Sequence, residues 1–448
     1  MLPARELAYK ILLEVSNEGS FSNLILQEYL DEGVVLKEAN LVRELVYGVL
    51  ENQRYIDSIV SELSSINLEK IDLNILIILR IGIYQLLFLD RIPESAAVNE
   101  SVNLAKIYSH KGSVGYVNGV LRKASREKNR FKIDNIKIKN ENIGVSLSHP
   151  DYLVKLWEKQ LGLDKTRDLL IANNSKPELN IRVNTLKTSI NVLMDRLSSK
   201  GLKVRKGNIA RDCLIVENPS GITKLDEFRI GLFTIQDESS MLLTEVANPK
   251  EGSLILDMCA APGGKSTHIA QWINDRGKII SRDVSLEKIK LIDENTNRLG
   301  IKSIKTEIYN AQDLDETLVW KVDYVILDAP CSGFGLIRRK PDIKWSKSLD
   351  DVDSLISIQK KMLNIAAEYV KDNGILIYST CTINNDENLN QIHEFLENNP
   401  RFKLQAFKIN AKTIDDSQNL GYIQLLPSIH GTDGFFIAKL IKNNSIQR

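Results

Sequence analysis

Four polar positions in the C-terminal half have the types and spacing to build a reactive site. They are the run Asp257-Met258-Cys259-Ala260-Ala261-Pro262-Gly263-Gly264-Lys265, then Asp283, then Asp328 with Cys331, and finally Cys381. The small residues of the first run let a ligand approach the backbone closely. A helix opening at its end would add free N–H groups. The Gly264-Lys265-Ser266 ending looks like a phosphate loop, but that motif needs a glycine where Cys259 stands, which argues against a nucleoside triphosphatase. Asp283 lies where nucleoside-binding α/β folds place a carboxylate for ribose hydroxyls. Its plain alternative is an acid ahead of a helix starting near Ser285. Loop and acid together favour a nucleoside cofactor, either a dinucleotide or S-adenosylmethionine. Alone, Cys331 or Cys381 would read as a small buried apolar residue. Together at two strand ends of one sheet, they suggest an active site.

Such a site needs a parallel sheet beneath it. From about residue 240 the pattern alternates, with strands expected over 253–256, 278–281, 322–327 and 375–378. Helices are expected over 266–273, 285–299 and 355–370, the last stopped near Gly374. This is a doubly wound α/β sheet, which binds ligands at the carboxyl ends of its strands. All four polar positions fall at such ends.

Upstream the elements differ. Residues 1–130 read as several short helices, with Ala8, Ile11, Leu12 and Val15, then Leu41, Leu45 and Val49, then Ile56, Ile59 and Leu63 at helical spacing. The apolar stretch 73–89 carries Arg80 at its centre and is read as a buried helix, because a lipid span would not tolerate that charge cheaply. Residues 145–240 mix a helix over 151–161, a strand over 179–184 and a helix over 190–197 into a small α+β module.

A chain of 448 residues has room for about three domains. At 43% hydrophobic and 26% charged it is neither disordered nor collagen-like. The formal charge of +1 gives no whole-chain signal for nucleic acid or membrane. The signal is local: 106–139 holds ten basic residues against two acidic ones, a net of +8, which suits phosphate contacts or a solvated linker. The four cysteines form no CxxC pair, which argues against a zinc ribbon, and they are too few for a disulfide scaffold. The five histidines form no ligand-spaced cluster, so no metal is expected. Glu6 precedes any apolar core, so no signal peptide is read and a cytoplasmic protein with reduced thiols is expected.

The run 257–265, Asp328-Ala-Pro-Cys-Ser-Gly333 and Ser379-Thr-Cys381 resemble the RNA (cytosine-5)-methyltransferases of the NOL1/NOP2/Sun group. Arg182-Val-Asn-Thr-Leu-Lys187, Gln236-Asp-Glu-Ser239 and Arg338-Arg-Lys-Pro-Asp-Ile-Lys-Trp345 fit the same family, and the helical start resembles NusB. The resemblance implies a multidomain chain: an all-α NusB-like RNA-binding bundle over 1–130, a small α+β RNA-binding module over 145–240, and a Rossmann-like methyltransferase domain over 241–442. It implies S-adenosylmethionine as cofactor and a cytosine of 16S ribosomal RNA as acceptor, with no DNA or membrane partner. A monomer is expected, though nothing in the sequence fixes the oligomeric state. The alternatives are a NusB-like assembly factor with a dead catalytic domain, or transfer RNA as acceptor.

The implied chemistry suits the residues. Cytosine C5 is a poor nucleophile, and a thiolate adding at C6 makes it enamine-like; a thiol is also a good leaving group. By resemblance Cys381 is the nucleophile and Cys331 helps release product, whereas DNA cytosine-5 methyltransferases use the Pro-Cys cysteine as nucleophile. Cys259, Ala260, Ala261, Pro262, Gly263, Gly264, Lys265, Asp283 and Asp328 are the implied cofactor contacts. Asp328 is also placed at the cytosine edge. Asn310 stands where the family has an aspartate at the adenine end, so the contact falls to Asn310 without the charge, or to Asp313. Cys213 is expected to be structural. Arg338, Arg339, Lys340, Lys344 and Lys347 suit RNA phosphates, and Trp345 either stacks on a base or packs in a core.

Overall fold

The computed structural model describes residues 2–18, 22–31, 36–131, 143–217, 221–411 and 413–444. The chain divides into two compact units, Met1–Ser175 with Ile337–Lys347, and Lys176–Leu336 with Ser348–Arg448.

Among its described residues the first unit has helices, turns and loops and no strand. Its main helices are Ala4–Glu18, Ser22–Asp31, Leu36–Leu63, Leu73–Phe88, Glu94–Tyr108, Lys111–Arg126, Asp151–Leu161 and Leu163–Asn173. Leu36–Leu63 is one helix of 28 residues rather than short pieces. Val49 and Ile56 lie two turns apart, so both apolar sets share one stripe. Gly48 does not break it: a Cβ there would lie 1.9 Å from the Tyr84 ring, so the bare backbone seats that ring. In Leu73–Phe88 the side chains from Ile75 to Leu86 are buried, Arg80 included. Asp57 receives the Arg80 guanidinium through two bonds, at 2.7 and 2.8 Å. Among the described residues no helix is long and apolar enough to cross a membrane.

The strongest departure from the sequence reading is Ile337–Lys347, which belongs to this helical unit. Lys344 is 1% exposed. Its three ammonium protons meet three acceptors: Glu51 O at 2.8 Å, Ser148 O at 2.9 Å and Asn174 Oδ1 at 3.1 Å. Trp345 donates Nε1–H to Leu50 O at 2.7 Å and packs on the helical core. Lys344 is therefore no phosphate contact and Trp345 no base-stacking residue. Burial pulls the Lys344 ammonium down to about 7 against the pull of Glu51, and every donor it offers is met.

In the basic stretch, Lys111, Arg122 and Arg126 are exposed on the helix Lys111–Arg126. Lys128 pairs with Glu94, and Arg130 with Glu62 and Glu127. Lys132, Lys137 and Lys139 lie outside the described residues.

The second unit holds two sheets. Strands β1 Leu179–Val183, β2 Val204–Lys206, β3 Cys213–Val216 and β4 Phe233–Ile235 form an antiparallel sheet in the order β2-β3-β1-β4. The helix Ile190–Ser199 covers it through Leu193 and Leu197. The larger sheet is built from β5 Leu254–Asp257, β6 Lys278–Asp283, β7 Ile304–Ile308, β8 Val322–Asp328, β9 Val370–Thr380, β10 Phe402–Leu404, β11 Tyr422–Leu425 and β12 Phe435–Lys442. Its order is β10-β12-β9-β8-β5-β6-β7, with β11 on β12. The run β9-β8-β5-β6-β7 is parallel and β12 joins antiparallel, a Rossmann-like mixed sheet.

Ser285 caps Leu286–Leu299, and Gly300 ends it at φ +76°. The helix expected over 355–370 instead begins at Leu349, where Ser348 and Asp351 form a capping box, and stops at Tyr369. Gly374 is not its terminator but a residue inside β9. A Cβ there would lie 2.9 Å from Lys371 O and 3.1 Å from Val322 O, at the register shift between β8 and β9.

The Arg80–Asp57 pair yields a test. Asp57→Ala strands a buried guanidinium, which costs about 3 kcal/mol or more. Urea unfolding followed by circular dichroism should show that loss, and an unchanged midpoint would rule out a stabilising role for the pair.

Candidate active site

The parallel strands carry the sequence-derived residues to one edge of the sheet. Asp257 ends β5, Asp283 ends β6 and Asp328 ends β8; Cys381 directly follows β9, and Asn310 lies just past β7. β5 is the strand at which the chain order reverses, with β6 and β7 on one side and β8 and β9 on the other. This switch point is where open α/β sheets bind ligands.

The loop after β5 is tied to both neighbours. Met258 N donates to Ile326 O at 3.0 Å and Ala260 N to Arg282 O at 2.9 Å. Ala261 N donates to Asp283 Oδ2 at 3.0 Å, and Pro262 O accepts from Asn295. Gly263 has φ +95°, and a Cβ there would lie 3.2 Å from Ile292, so glycine suits both the turn and the packing. Gly264 opens the helix Gly264–Trp272. Arg182, fully buried, donates to Gln236, to Gly264 O and to Thr267 Oγ1, fixing this helix start from β1.

Asp257 is buried and accepts from Ser266 Oγ at 2.5 Å. Burial pushes its carboxyl up to about 6, with Asp328 adding to the rise and the Ser266 bond and Lys265 opposing it. Asp283 is held by the Ala261 and Val284 amides and by Lys288 Nζ at 2.9 Å. Cys259 is partly exposed, and burial together with the nearby Asp257, Asp283 and Asp328 raises its thiol. Asn310 and Asp313 are both exposed, and they face each other across a turn in which Asp313 N donates to Asn310 O.

Lys265 joins the loop to the cysteines. Its Nζ lies 2.5 Å from Asp328 Oδ2. Burial works against its charge, but Asp328, Asp257 and Cys381 outweigh that and raise the ammonium above its ordinary value. Asp328 Oδ1 accepts from Ser379 Oγ at 2.7 Å. The Cys331 and Cys381 sulfurs lie 3.2 Å apart. The Cys381 contact, burial and the charges of Glu387 and Asp328 hold the Cys331 thiol well above its ordinary value, so it keeps its proton. Cys213 is buried away from this edge in β3, where Asn180 contacts its sulfur. Among the described residues no group of three or more His, Cys, Asp or Glu could hold a metal.

Several residues here were not picked out from sequence. Ser379 opens the Ser-Thr-Cys motif, and Ser266 ends the Gly-Lys-Ser triplet. Glu387 and Gln359 carried no signal: a run such as Thr-Ile-Asn-Asn-Asp-Glu-Asn388 reads as a solvated loop, yet Glu387 is 0% exposed.

Asp257 gives a pH prediction. Its native pKa lies above the usual 3.8, so the stability it allows is full below about pH 4 and is lost as pH rises through about 6. The loss is at most about 3 kcal/mol. Asp257→Asn should flatten that decline in urea titrations between pH 4 and 7; a slope identical to the parent's would contradict the buried acid.

Three family models match the chain: 16S rRNA methyltransferase RsmB/F over residues 244–441, the NusB family over 2–126, and the Methyltr_RsmF/B-like ferredoxin-like domain over 149–223. A probable ribosomal RNA small subunit methyltransferase B of Bacillus subtilis is 36% identical, covering 98% of each chain. One of Synechocystis is 34% identical, covering 99% of this chain and all of the other. The crystal structure of PH0851 matches with a TM-score of 0.81 at 27% identity, over 99% of both chains. That of NSun6 from Pyrococcus horikoshii with SFG matches with a TM-score of 0.60 at 25% identity, over 66% of this chain and 99% of the other.

Proposed function

Since this chain belongs to the RsmB/F family of 16S rRNA methyltransferases, we propose that it methylates C5 of a cytosine in 16S ribosomal RNA through a covalent bond between Cys381 and C6, with S-adenosylmethionine as methyl donor. The observation that carries the reading is the pair of sulfurs 3.2 Å apart at adjacent strand ends, beside the glycine-rich loop.

The residues present fit the cofactor. The bare Gly263 turn leaves the backbone open to close approach, and Asp283 is oriented by two amides to accept from ribose hydroxyls. Val284 and Ile308, exposed apolar side chains at the ends of β6 and β7, offer flat surface for a base. Cys259 to Lys265 and Asp283 hold the nucleoside and methionine portions, and Asn310 or Asp313 the adenine end. When bound, S-adenosylmethionine supplies an electrophilic methyl group.

The protein's own groups do the rest. The Cys381 thiolate adds to C6, which makes C5 nucleophilic; after C5 is methylated its proton is lost and the thiolate leaves. The Lys265 ammonium stands near Cys381 as a counter-charge. Cys331, kept protonated, serves product release. Asp328, aligned by Lys265 and Ser379, meets the cytosine edge and favours its protonated, electron-poor form. The target base must be unpaired or flipped to reach this edge. We assign RNA binding to 1–130 and 145–240, catalysis to 241–442, and the phosphate contacts of the first segment to Lys111, Arg122 and Arg126. The protein acts in the cytoplasm as a monomer.

Two experiments test this. Asp283→Ala removes a charged acceptor and should weaken S-adenosylmethionine binding about tenfold by calorimetry; equal affinity in a folded variant removes Asp283 from the cofactor site. Cys381→Ala should abolish methyl transfer and give no protein–RNA adduct on denaturing gels. Cys331→Ala should form the adduct and release it slowly. An adduct that needs Cys331 and not Cys381 would reverse the two roles.

A further inference from the structure

The two cysteine loops are joined by backbone bonds at either end but not at the sulfurs. Strand pairing closes at Asp328–Ser379, with Ala329 N donating to Ser379 O. It resumes where Gly335 N donates to Cys381 O at 3.0 Å. Cys331 lies between these ties, and there the Glu387 side chain spans the gap.

The Glu387 carboxylate touches the residue that follows each cysteine. Oε1 accepts from Ser332 N at 2.7 Å and from Gln359 Nε2 at 3.1 Å. Oε2 accepts from Ser332 Oγ at 2.6 Å, and from Thr382 Oγ1 and Asn384 Nδ2, both at 3.3 Å. The Ser332 hydroxyl donates its one proton to Glu387, so the Thr382 proton is shared between Glu387 and Ser332 Oγ, 2.7 Å away. Gln359 also donates to Pro330 O, which grips the same loop from the helix Leu349–Tyr369. Tyr378 Oη donates to Glu387 O at 2.7 Å, fixing the root of the side chain to β9. These five donors are all neutral. A wholly buried carboxylate is costly, and packing alone would be served better by an apolar side chain. What an anion adds here is several charge-assisted bonds converging on two loops at once.

We infer that Glu387 is a positioning residue, a clamp that sets the approach of the Cys331 and Cys381 sulfurs. The inference rests on the cysteine roles proposed above for its catalytic consequence, though not for its geometry. Releasing the clamp lets the Cys331 loop drift, so the thiol that serves product release leaves its partner while the cofactor loop stays intact.

The test uses the full-length protein and phenylarsine oxide, whose arsenic condenses with two neighbouring thiols, forming two As–S bonds and releasing one water. The parent should give a bridged adduct by intact mass, with Cys381→Ala as the one-thiol baseline. Glu387→Gln, and Glu387→Asp, which keeps the charge but shortens the reach by one methylene, should each weaken that bridging at least tenfold. S-adenosylmethionine affinity should stay within twofold, kcat should fall more than KM for RNA, and the protein–RNA adduct should accumulate as in Cys331→Ala. Ser332→Ala, a milder cut of the same contact, should shift bridging in the same direction and carries the test if the Glu387 variants do not fold. Arsenical bridging and turnover that match the parent in a folded Glu387 variant, or bridging unchanged in Ser332→Ala, overturn the clamp. Weakened bridging in a protein whose Cys381→Ala form still methylates RNA supports the clamp and removes the covalent mechanism instead.

Discussion

Lys265 reaches from the first turn of the helix Gly264–Trp272 to Asp328 at the end of β8, 2.5 Å away. Burial works against its charge, and Asp328, Asp257 and Cys381 outweigh that. This one contact joins the two halves of the chemistry. The loop that would hold a nucleoside and the strand that leads to Cys331 are set in one register by it. Asp328 passes the alignment on to β9 through Ser379, and so to Cys381. The Lys265 ammonium, held charged by two neighbouring acids, is thus a fixed positive charge near the Cys381 sulfur.

The smaller sheet serves the same edge. Arg182 extends from β1 to Gly264 O and Thr267, and burial pulls its guanidinium down to about 9. Asn184 donates to Leu299 O and Lys187 to Arg298 O, at the far end of the helix that follows Asp283. Arg182, Asn184 and Lys187 hold the starts and ends of the helices that frame the glycine-rich loop.

Buried ions recur wherever distant segments are fastened together. Arg80 is met by Asp57, Lys344 by three oxygens from residues 51, 148 and 174, and Glu387 by donors from residues 332, 359, 382 and 384. Each is satisfied, and each would be costly to leave half-satisfied. Lys344 and Trp345 lie only fourteen or fewer residues past Cys331 in sequence, yet the chain leaves the catalytic unit at Leu336 and returns at Ser348.

Four of the five parallel strands, the glycine-rich turn after β5, the acid at the end of β6 and the two cysteines at strand ends were legible from sequence, because apolar periodicity and strand-end placement are local properties; β7, whose five residues include a lysine and a glutamate, was not. The helical start was legible for the same reason, and its apolar stretch 73–89 was read as a buried helix because the charge of Arg80 at its centre is costly in lipid. Helix boundaries were less so: Leu349–Tyr369 starts at a capping box and ends without a glycine, while Gly374 serves strand packing. What only the tertiary structure decided is where charged residues go. Lys344 and Trp345 look like an RNA surface by type, and Glu387 like a solvated acid. Whether such a side chain stays in water or enters the interior depends on partners supplied from tens to hundreds of residues away, and no local pattern in the chain encodes those partners.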